Sequence, residues 1–582
     1  IDLLYNKLDA VAAKMLAEVA KQKGVSLCGI RRDQTTADFS KQSLNLPDAI
    51  LLASDLSQAV VTGGLTVANL LGNQLDAEAA KMLAEVAKQK GVSLCGIQRD
   101  QTTADFRNKG LKLPDAILLA SDLSQAVVTG ALTSVNLRAN KLRDEGWGAI
   151  FAAICGNKDS KIMCLDASSE TIGPAGVKLI AEALRTSVTG ALTSVDLRAN
   201  KLRDEGWGAI FAAICGNKDS KIMCLDASSE TIGPAGVKLI AEALRTSVTG
   251  ALTKIDVSRN FFGPEGAKVF ADALRVNGGL TSLNLSSNQL CGLDYCGRGT
   301  YTAEGITAIA DAMLVNGSLM VTNLLGNQLD AEAAKMLAEV AKQKGISLCG
   351  IQRDQTTADF RNKGLKLPDA ILLASDLSQA VVTGALTSVN LRGNKLRDEG
   401  WGAIFAAICG NKDSKIMSLD ASSETIGPAG VKLIAEALRT SVTGGLTSID
   451  VRQNNIAGNG AVQLAAAVLG NLKIEIFNEI PIKEMRANSL TELDLNGKYV
   501  GVEAGMVVAG LIPVMGALTS LELRGNRLGD EGWGAIFAAI CGNKDSKIMS
   551  LNAASENIGP AGVKLIAEAL RTSVTGALMK VR

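Results

Sequence analysis

The sequence predicts an α/β solenoid, a stack of coils with a parallel β-sheet on the concave face and α-helices on the convex face. The main observation is an internal duplication: residues 131–190 and 191–250 are identical except that Asn136 becomes Asp196. Each copy divides into two units of about thirty residues, and a fixed period of this length is typical of a solenoid. The second observation is that each unit reads as a short strand, a turn and a helix.

The strand and the turn are predicted from residues 132–142. Leu132, Val135 and Leu137 are apolar at spacings of three and two, and Asn140 comes next. An asparagine side chain can bond both the turn and the neighbouring coils, so we expect a ladder of such residues along the solenoid. In alternate units a glutamate replaces the asparagine, at Glu170, Glu230, Glu424 and Glu556. Because a carboxylate only accepts hydrogen bonds, these glutamates are expected to interrupt the ladder.

The helix is predicted from the segment RDEGWGAIFAAICGN, residues 143–157. Trp147, Ile150, Phe151 and Ile154 have helical spacing, and acidic residues come first. All four tryptophans of the chain occupy this position, which indicates packing in the core: Trp147, Trp207, Trp401 and Trp533.

The same frame continues along residues 1–582, which predicts a single solenoid of about nineteen repeats. It is irregular at 471–490, carries a lateral insert at 291–303, and widens after Asp33, Asp100 and Asp354, where the segment TTADF is interpreted as a lateral loop. Neither end has a polar cap, so we expect the ends to continue or to stack on another subunit.

The consensus LxxLxLxxNxLxxEGaxxIaxaL resembles the ribonuclease-inhibitor-like subclass of leucine-rich repeat proteins. The segments GPAG at 173–176, GPEG at 263–266 and GDEGW at 529–533 carry the resemblance, which covers nearly the whole chain and extends to repeat proteins of unicellular algae. It implies a curved horseshoe or superhelix, since strands stack about 4.8 Å apart while helices need about 8 to 10 Å. It also implies a protein partner, although a fold alone does not transfer a function.

Composition excludes several functions. A net charge of +1 provides no basic field for nucleic acid, and no apolar run is long enough for membrane insertion. The chain has no histidine, no phosphate-binding glycine motif and no metal-ligand spacing, so we expect no catalytic residue, no cofactor and no metal. Eleven cysteines at repeated positions indicate apolar packing in the cytoplasm or another reducing compartment.

Polar residues between the apolar strand positions are predicted to face a partner on the concave surface. The candidates are Asp166, Asp196, Asp226, Asp256, Arg138 and Arg198. Two interpretations stay open. The acidic row could bind a basic partner or a cation that relieves its repulsion, or it could be a solvated face that its arginines already neutralise.

The insert CGLDYCGRGTYTAEG, which begins at Cys291, is the second candidate. It concentrates Tyr295, Arg298 and Tyr301 in a chain that has only 4 tyrosines. Functional loops are often grafted onto rigid scaffolds, but a tolerated surface insertion fits equally well. The first functional hypothesis is therefore a non-catalytic scaffold that binds a protein through the concave face and lateral loops. The alternatives are a structural subunit of a larger assembly and a GTPase regulator, as the resemblance to the Ran GTPase-activating protein implies.

Overall fold

The computed structural model describes residues 1–188, 191–442 and 445–582. Gly190, the last residue of the first duplicated copy, lies outside the described residues. The chain forms two compact units, Ile1–Leu319 and Met320–Arg582.

The first unit alternates short strands with helices. Its strands are β1 Thr36–Asp38, β2 Val67–Asn69, β3 Thr103–Asp105, β4 Ser134–Asn136, β5 Cys164–Asp166, β6 Ser194–Asp196, β7 Cys224–Asp226, β8 Lys254–Asp256 and β9 Ser282–Asn284. Its helices are α1 Ala10–Lys23, α2 Leu46–Ser57, α3 Ala59–Thr62, α4 Ala77–Lys90, α5 Leu113–Leu123, α6 Ala126–Thr129, α7 Arg143–Gly156, α8 Pro174–Arg185, α9 Arg203–Gly216, α10 Pro234–Arg245, α11 Gly263–Val276 and α12 Glu304–Val315.

The second unit repeats this alternation. Its strands are β10 Val321–Asn323, β11 Thr357–Asp359, β12 Ser388–Asn390, β13 Ser418–Asp420, β14 Ser448–Asp450, β15 Ile476–Phe477, β16 Ile480–Pro481, β17 Glu492–Asp494, β18 Ser520–Glu522, β19 Ser550–Asn552 and β20 Lys580–Val581. Its helices are α13 Ala331–Lys344, α14 Leu367–Leu377, α15 Ala380–Thr383, α16 Arg397–Gly410, α17 Pro428–Arg439, α18 Gly458–Gly470, α19 Ile482–Arg486, α20 Gly501–Leu511, α21 Gly529–Cys541 and α22 Pro560–Arg571, with a 3-10 turn at Ile512–Val514.

The strands form parallel sheets in register, as the sequence predicts. From β3 to β9 each strand pairs with the next, so that Val135, Leu165 and Val195 lie side by side. These central residues are buried, whereas the residues on either side of them are exposed or half-exposed. The α/β architecture of stacked strand, turn and helix is thus confirmed.

Asparagine ladders hold successive coils together. The Asn140 amide donates to the carbonyls of Phe106 and Leu137 at 3.0 and 2.7 Å, and its Oδ1 accepts from Leu111 N–H in the preceding coil. A second ladder, which the sequence pattern did not reveal, follows the helices: Asn157 donates to the Leu123 carbonyl at 3.2 Å. Its other members include Asn217, Asn277, Asn316, Asn411 and Asn471.

We expected the glutamates to interrupt the first ladder. This expectation is wrong for the hydrogen bonds that the side chain at this position accepts. Glu170 is 1% exposed, and its carboxylate accepts from the N–H groups of Asn140 and Leu142 and from the Trp147 indole N–H at 3.2 Å. Only the amide donor is lost. The same indole contact recurs at Glu230, Glu424 and Glu556, and all four tryptophans are buried as predicted.

The interpretation of TTADF as a lateral loop is also wrong, because each copy is the strand of its own coil. Asp105 pairs in register with Asn136, and Ala104 between the polar residues is buried. The earlier segment 92–97 forms only an isolated bridge, between Ser93 and Val67. Its unpaired N–H groups at Leu94 and Cys95 donate instead to a buried aspartate of the next helix, Asp122, at 2.9 and 3.0 Å. The other copies of TTADF are β1 and β11.

The irregular stretch at 471–490 is a small β-hairpin followed by the five-residue helix α19. Its two-residue turn, Asn478-Glu479, has φ of 50° and 64°, the left-handed conformation of a tight hairpin turn. Asn478 is buried: it accepts from Val451 N–H and donates to the Val500 carbonyl. One side chain thereby joins the coils before and after the hairpin.

Candidate functional site

The exposed face of β3–β9 carries a row of polar residues at the third position of each strand. The row comprises Asp105, Asn136, Asp166, Asp196, Asp226, Asp256 and Asn284. Asp105, which lies in the TTADF segment, was not among the predicted residues. The structure therefore brings the four predicted aspartates together in consecutive strands.

Arg198 neutralises the centre of this row. Its guanidinium contacts Asp196 at 2.6 Å and Asp226 at 3.1 Å. Burial alone would raise the pKa of Asp196, but the hydrogen bonds from Arg198 hold that pKa below its usual value. The repulsion expected between Asp196 and Asp226 is therefore relieved within the chain.

The outer aspartates of the row are bonded to small polar neighbours. Asp166 accepts from the N–H and hydroxyl of Ser168, and Asp256 accepts from Ser258 N–H and from the Asn284 amide at 2.8 Å. Arg138 makes no ion pair within the described ranges of the chain. Together these contacts favour the solvated polar face over a cation site in the first unit.

The insert after β9 is a loop that is held together by hydrogen bonds to Asp294. The Asp294 Oδ1 accepts from the N–H groups of Cys296 and Arg298, both at 2.9 Å, and its Oδ2 accepts from the Arg298 guanidinium at 3.0 Å. Leu293 bridges Gly299 in antiparallel fashion, and Gly299 has φ of 127°. A Cβ at Gly299 would lie 2.1 Å from the Gly292 carbonyl oxygen, so the two sides of the loop touch through their backbones.

This loop displays an aromatic and a cationic side chain. Tyr295 is 81% exposed, the highest exposure of any large apolar or aromatic residue among the described residues, and the Arg298 side chain is 76% exposed. Tyr301 is half-buried, so the predicted trio is not displayed as a group. The loop rests on the preceding coil, where Pro264 lies 3.5 Å from a Cβ placed on Gly292 and Phe261 is 51% exposed.

The cysteines are placed largely as the sequence predicts. All eleven lie in the described ranges and are free thiols. Seven of them pack in the core, at Cys28, Cys95, Cys155, Cys215, Cys349, Cys409 and Cys541. Cys164 is exposed and Cys224 half-buried, with Ser194 on the strand between them. In the insert, Cys291 is buried and Cys296 exposed.

Neither a metal site nor a bilayer-spanning helix is found in the parts of the chain that the structure describes. No group of three or more aspartate, glutamate or cysteine side chains there could hold a metal ion. Across ranges 1–188, 191–442 and 445–582, no helix is both long and apolar enough to cross a membrane.

The coil of strand, turn and helix defines a repeat solenoid, and two segments identify its repeat type. Residues 386–405 and 518–537 match a family model described as Leucine Rich repeat. Each segment contains one strand and the start of the following helix, β12 with α16 and β18 with α21. These two segments are therefore similar to leucine-rich repeats, and the neighbouring coils share their order of strand, turn and helix. The assignment of the chain to the ribonuclease-inhibitor-like subclass, and its curvature, stay predictions.

Several solved structures resemble the chain weakly, whereas no curated protein matches it. The TLR13-ssRNA13 complex aligns with 14% identity and a TM-score of 0.35, over 87% of this chain and 61% of the other, so the chain spans about three fifths of that protein. An internalin (inlF) from Listeria monocytogenes aligns with 11% identity and a TM-score of 0.30, over 75% of this chain and 88% of the other. The yeast Rad7 and Elc1 complex aligns with 12% identity and a TM-score of 0.33, over 78% of this chain and 85% of the other. Because every TM-score is below 0.5, no partner is transferred from these proteins.

Proposed function

We propose that this chain is a non-catalytic scaffold that binds a protein partner through its sheet face and lateral loops, with the insert 291–303 as the main contact. The observation that carries the proposal is the display of Tyr295 and Arg298 on a loop that its own hydrogen bonds make rigid. Tyrosine and arginine are enriched among the residues that dominate protein–protein binding energy.

Rigidity matters because a flexible loop loses conformational entropy when it binds. Ordering a mobile side chain at an interface costs roughly 0.5 to 1.5 kcal/mol, and a preformed loop avoids much of that cost. Asp294 and the backbone contact between Gly292 and Gly299 supply this order before any partner is present. The preceding coil carries a second exposed aromatic side chain, Phe261.

In this proposal, the polar residues on the sheet face form the outer part of the contact, around the insert. Arg138 makes no ion pair there with any described residue, while Asp196 and Asp226 share Arg198. The net charge of +1 supports a protein partner over nucleic acid. The free buried thiols fit a reducing compartment such as the cytoplasm.

Copurification from the source cells tests the proposal. The tagged full chain is compared with the double variant Tyr295→Ala/Arg298→Ala, and Tyr5→Ala serves as the control because Tyr5 is an exposed tyrosine outside the insert. We expect the double variant to lose at least one partner by about tenfold or more, and the control to retain it. Retention of the same proteins by the double variant would contradict the proposal.

The two alternatives have separate tests. A structural subunit would assemble, so a monomer that persists on dilution in a size measurement argues against that role. A GTPase regulator would change the rate of GTP turnover, which a turnover assay measures directly.

A further inference from the structure

A cleft lies on the exposed face of β12–β14, and the hairpin β15–β16 closes one end of it. Its volume is about 280 Å³. Three serines form its floor in register, Ser388, Ser418 and Ser448, and the row ends at Ile476 of the hairpin. Ile476 is 43% exposed, so the cleft has hydroxyl groups along the floor and an apolar side chain at the closed end.

The charged residues of the cleft differ in how many ion pairs and hydrogen bonds they make. Arg452 contacts Asp450 at 2.7 Å and Glu479 at 2.5 Å, and its side chain is 19% exposed. Glu479 is also bonded to Lys498 at 2.8 Å. Asp420 differs: its Oδ1 accepts from the N–H and hydroxyl of Ser422, while its Oδ2 has no partner within ranges 1–188, 191–442 and 445–582.

These features narrow the class of ligand. The volume is below the 300 to 1,000 Å³ that is typical of small-molecule sites, so it fits a side chain better than a cofactor. An anion is disfavoured because the cleft's arginine is already engaged by two carboxylates. A hard metal ion needs about six oxygen ligands, and the described residues provide no group of three metal-binding side chains here. A cation with an apolar stem satisfies both Asp420 and Ile476.

We propose that this cleft binds a lysine or arginine side chain of a protein partner, with the charged end at Asp420 and the stem against Ile476. The inference rests on the proposed scaffold function and adds a second contact to it, in the second unit. The serine hydroxyls accept the remaining hydrogen bonds of the ammonium or guanidinium group.

The duplication supplies a matched control. Residues 385–442 repeat 131–188 except at Gly393, where the earlier copy has Ala139, and at Ser418, where it has Cys164. Asp166 therefore stands in the place of Asp420 and makes the same two bonds to a serine, Ser168. After β6, however, the sheet continues through β7 and no hairpin follows. Loss of either carboxylate removes one negative charge, so a role of the closed cleft predicts that only the loss of Asp420 weakens binding.

Selection from a library of random dodecapeptides against the immobilised full chain tests the proposal. We expect the enriched peptides to share a lysine or arginine whose replacement by glutamine abolishes binding. Asp420→Asn should weaken these peptides by about tenfold or more, Asp420→Glu should retain part of the affinity, and Asp166→Asn should change it by less than about twofold.

Three results would overturn the assignment: no enrichment, enriched peptides without a shared basic residue, or equal losses from Asp166→Asn and Asp420→Asn. Peptides that no longer bind Tyr295→Ala/Arg298→Ala but still bind Asp420→Asn would overturn the proposed role of the cleft and support the scaffold function. Copurified partners that depend on the insert but not on Asp420 would separate the two proposals in the same way.

Discussion

At the scale of single residues, buried carboxyl groups take over hydrogen bonds that asparagines or strand partners make elsewhere. Glu170 faces three donors, two backbone N–H groups and the Trp147 indole, and a carboxylate offers only acceptors. Asp122 does the same for the unpaired segment at Leu94 and Cys95. Burial raises the pKa of Asp122 to about 6, so such groups tie stability to pH.

Glu503 provides the clearest pH prediction. Its carboxyl is 2% exposed, its Oε1 accepts from the Asn478 amide at 2.8 Å, and burial raises its pKa from 4.5 to about 8. Between those values the folded chain holds a proton that the unfolded chain has lost. The resulting stability is complete below pH 4.5 and is lost as the pH rises to about 8.

We expect Glu503→Gln to flatten this dependence, because a neutral amide cannot ionise. The free energy of unfolding, measured by urea titration from about pH 6.5 to 8.5, should fall in the wild type by up to about 1.4 kcal/mol per pH unit. It should fall less steeply in the variant. Glu182→Gln, an exposed substitution, should leave the wild-type slope unchanged. Parallel curves for wild type and Glu503→Gln would show that Glu503 is ionised in the folded chain.

At the scale of secondary-structure elements, glycines set how closely neighbouring helices pack. Gly148 of α7 faces Leu179 of α8, and a Cβ there would lie 2.6 Å from the leucine Cδ1 and 2.8 Å from its Cβ. The same contact joins Gly208 to Leu239 in the second copy. Because the second distance involves a Cβ fixed to the backbone, a rotamer change alone cannot relieve it.

Gly148→Ala is therefore expected to destabilise α7 and α8. Overpacking costs about 1 to 3 kcal/mol, against a gain of at most about 1 kcal/mol in helix propensity. Gly156→Ala, in the same helix with no atom within 4 Å of the added methyl, should be neutral or slightly stabilising. Hydrogen exchange of the α7 and α8 amides measures the effect, and equal protection in both variants would refute the packing argument.

The helices, the strand register and the buried tryptophans could be predicted because apolar spacing encodes them directly. TTADF was missed because the buried central residue of its strand, Ala104, carries little apolar signal between two polar neighbours. The second asparagine ladder and the role of Glu170 were missed because both depend on a neighbouring coil. For the same reason, the sequence could indicate the insert but not its hydrogen bonding to Asp294.

At the scale of the whole molecule, duplication produces several copies of the same surface residues, and this alone does not make them bind a partner. The aspartates of the duplicated strands arise in register and are largely satisfied by Arg198 and by serines. The features that interrupt the repeat are different: the insert displays Tyr295, and the hairpin closes one end of the cleft that contains Asp420. We infer that partner recognition depends on these interruptions of the repeat.

Hydroxyl-radical footprinting of the full chain, alone and with its copurified partner, tests this claim most directly. Tyr295 and Phe261 report on the insert and the coil beneath it, and Met163 and Met223, 45% and 48% exposed, report on the two duplicated copies. We expect the partner to protect Tyr295 and Phe261 and to leave Met163 and Met223 reactive. Protection of Met163 and Met223 with Tyr295 still reactive would contradict it.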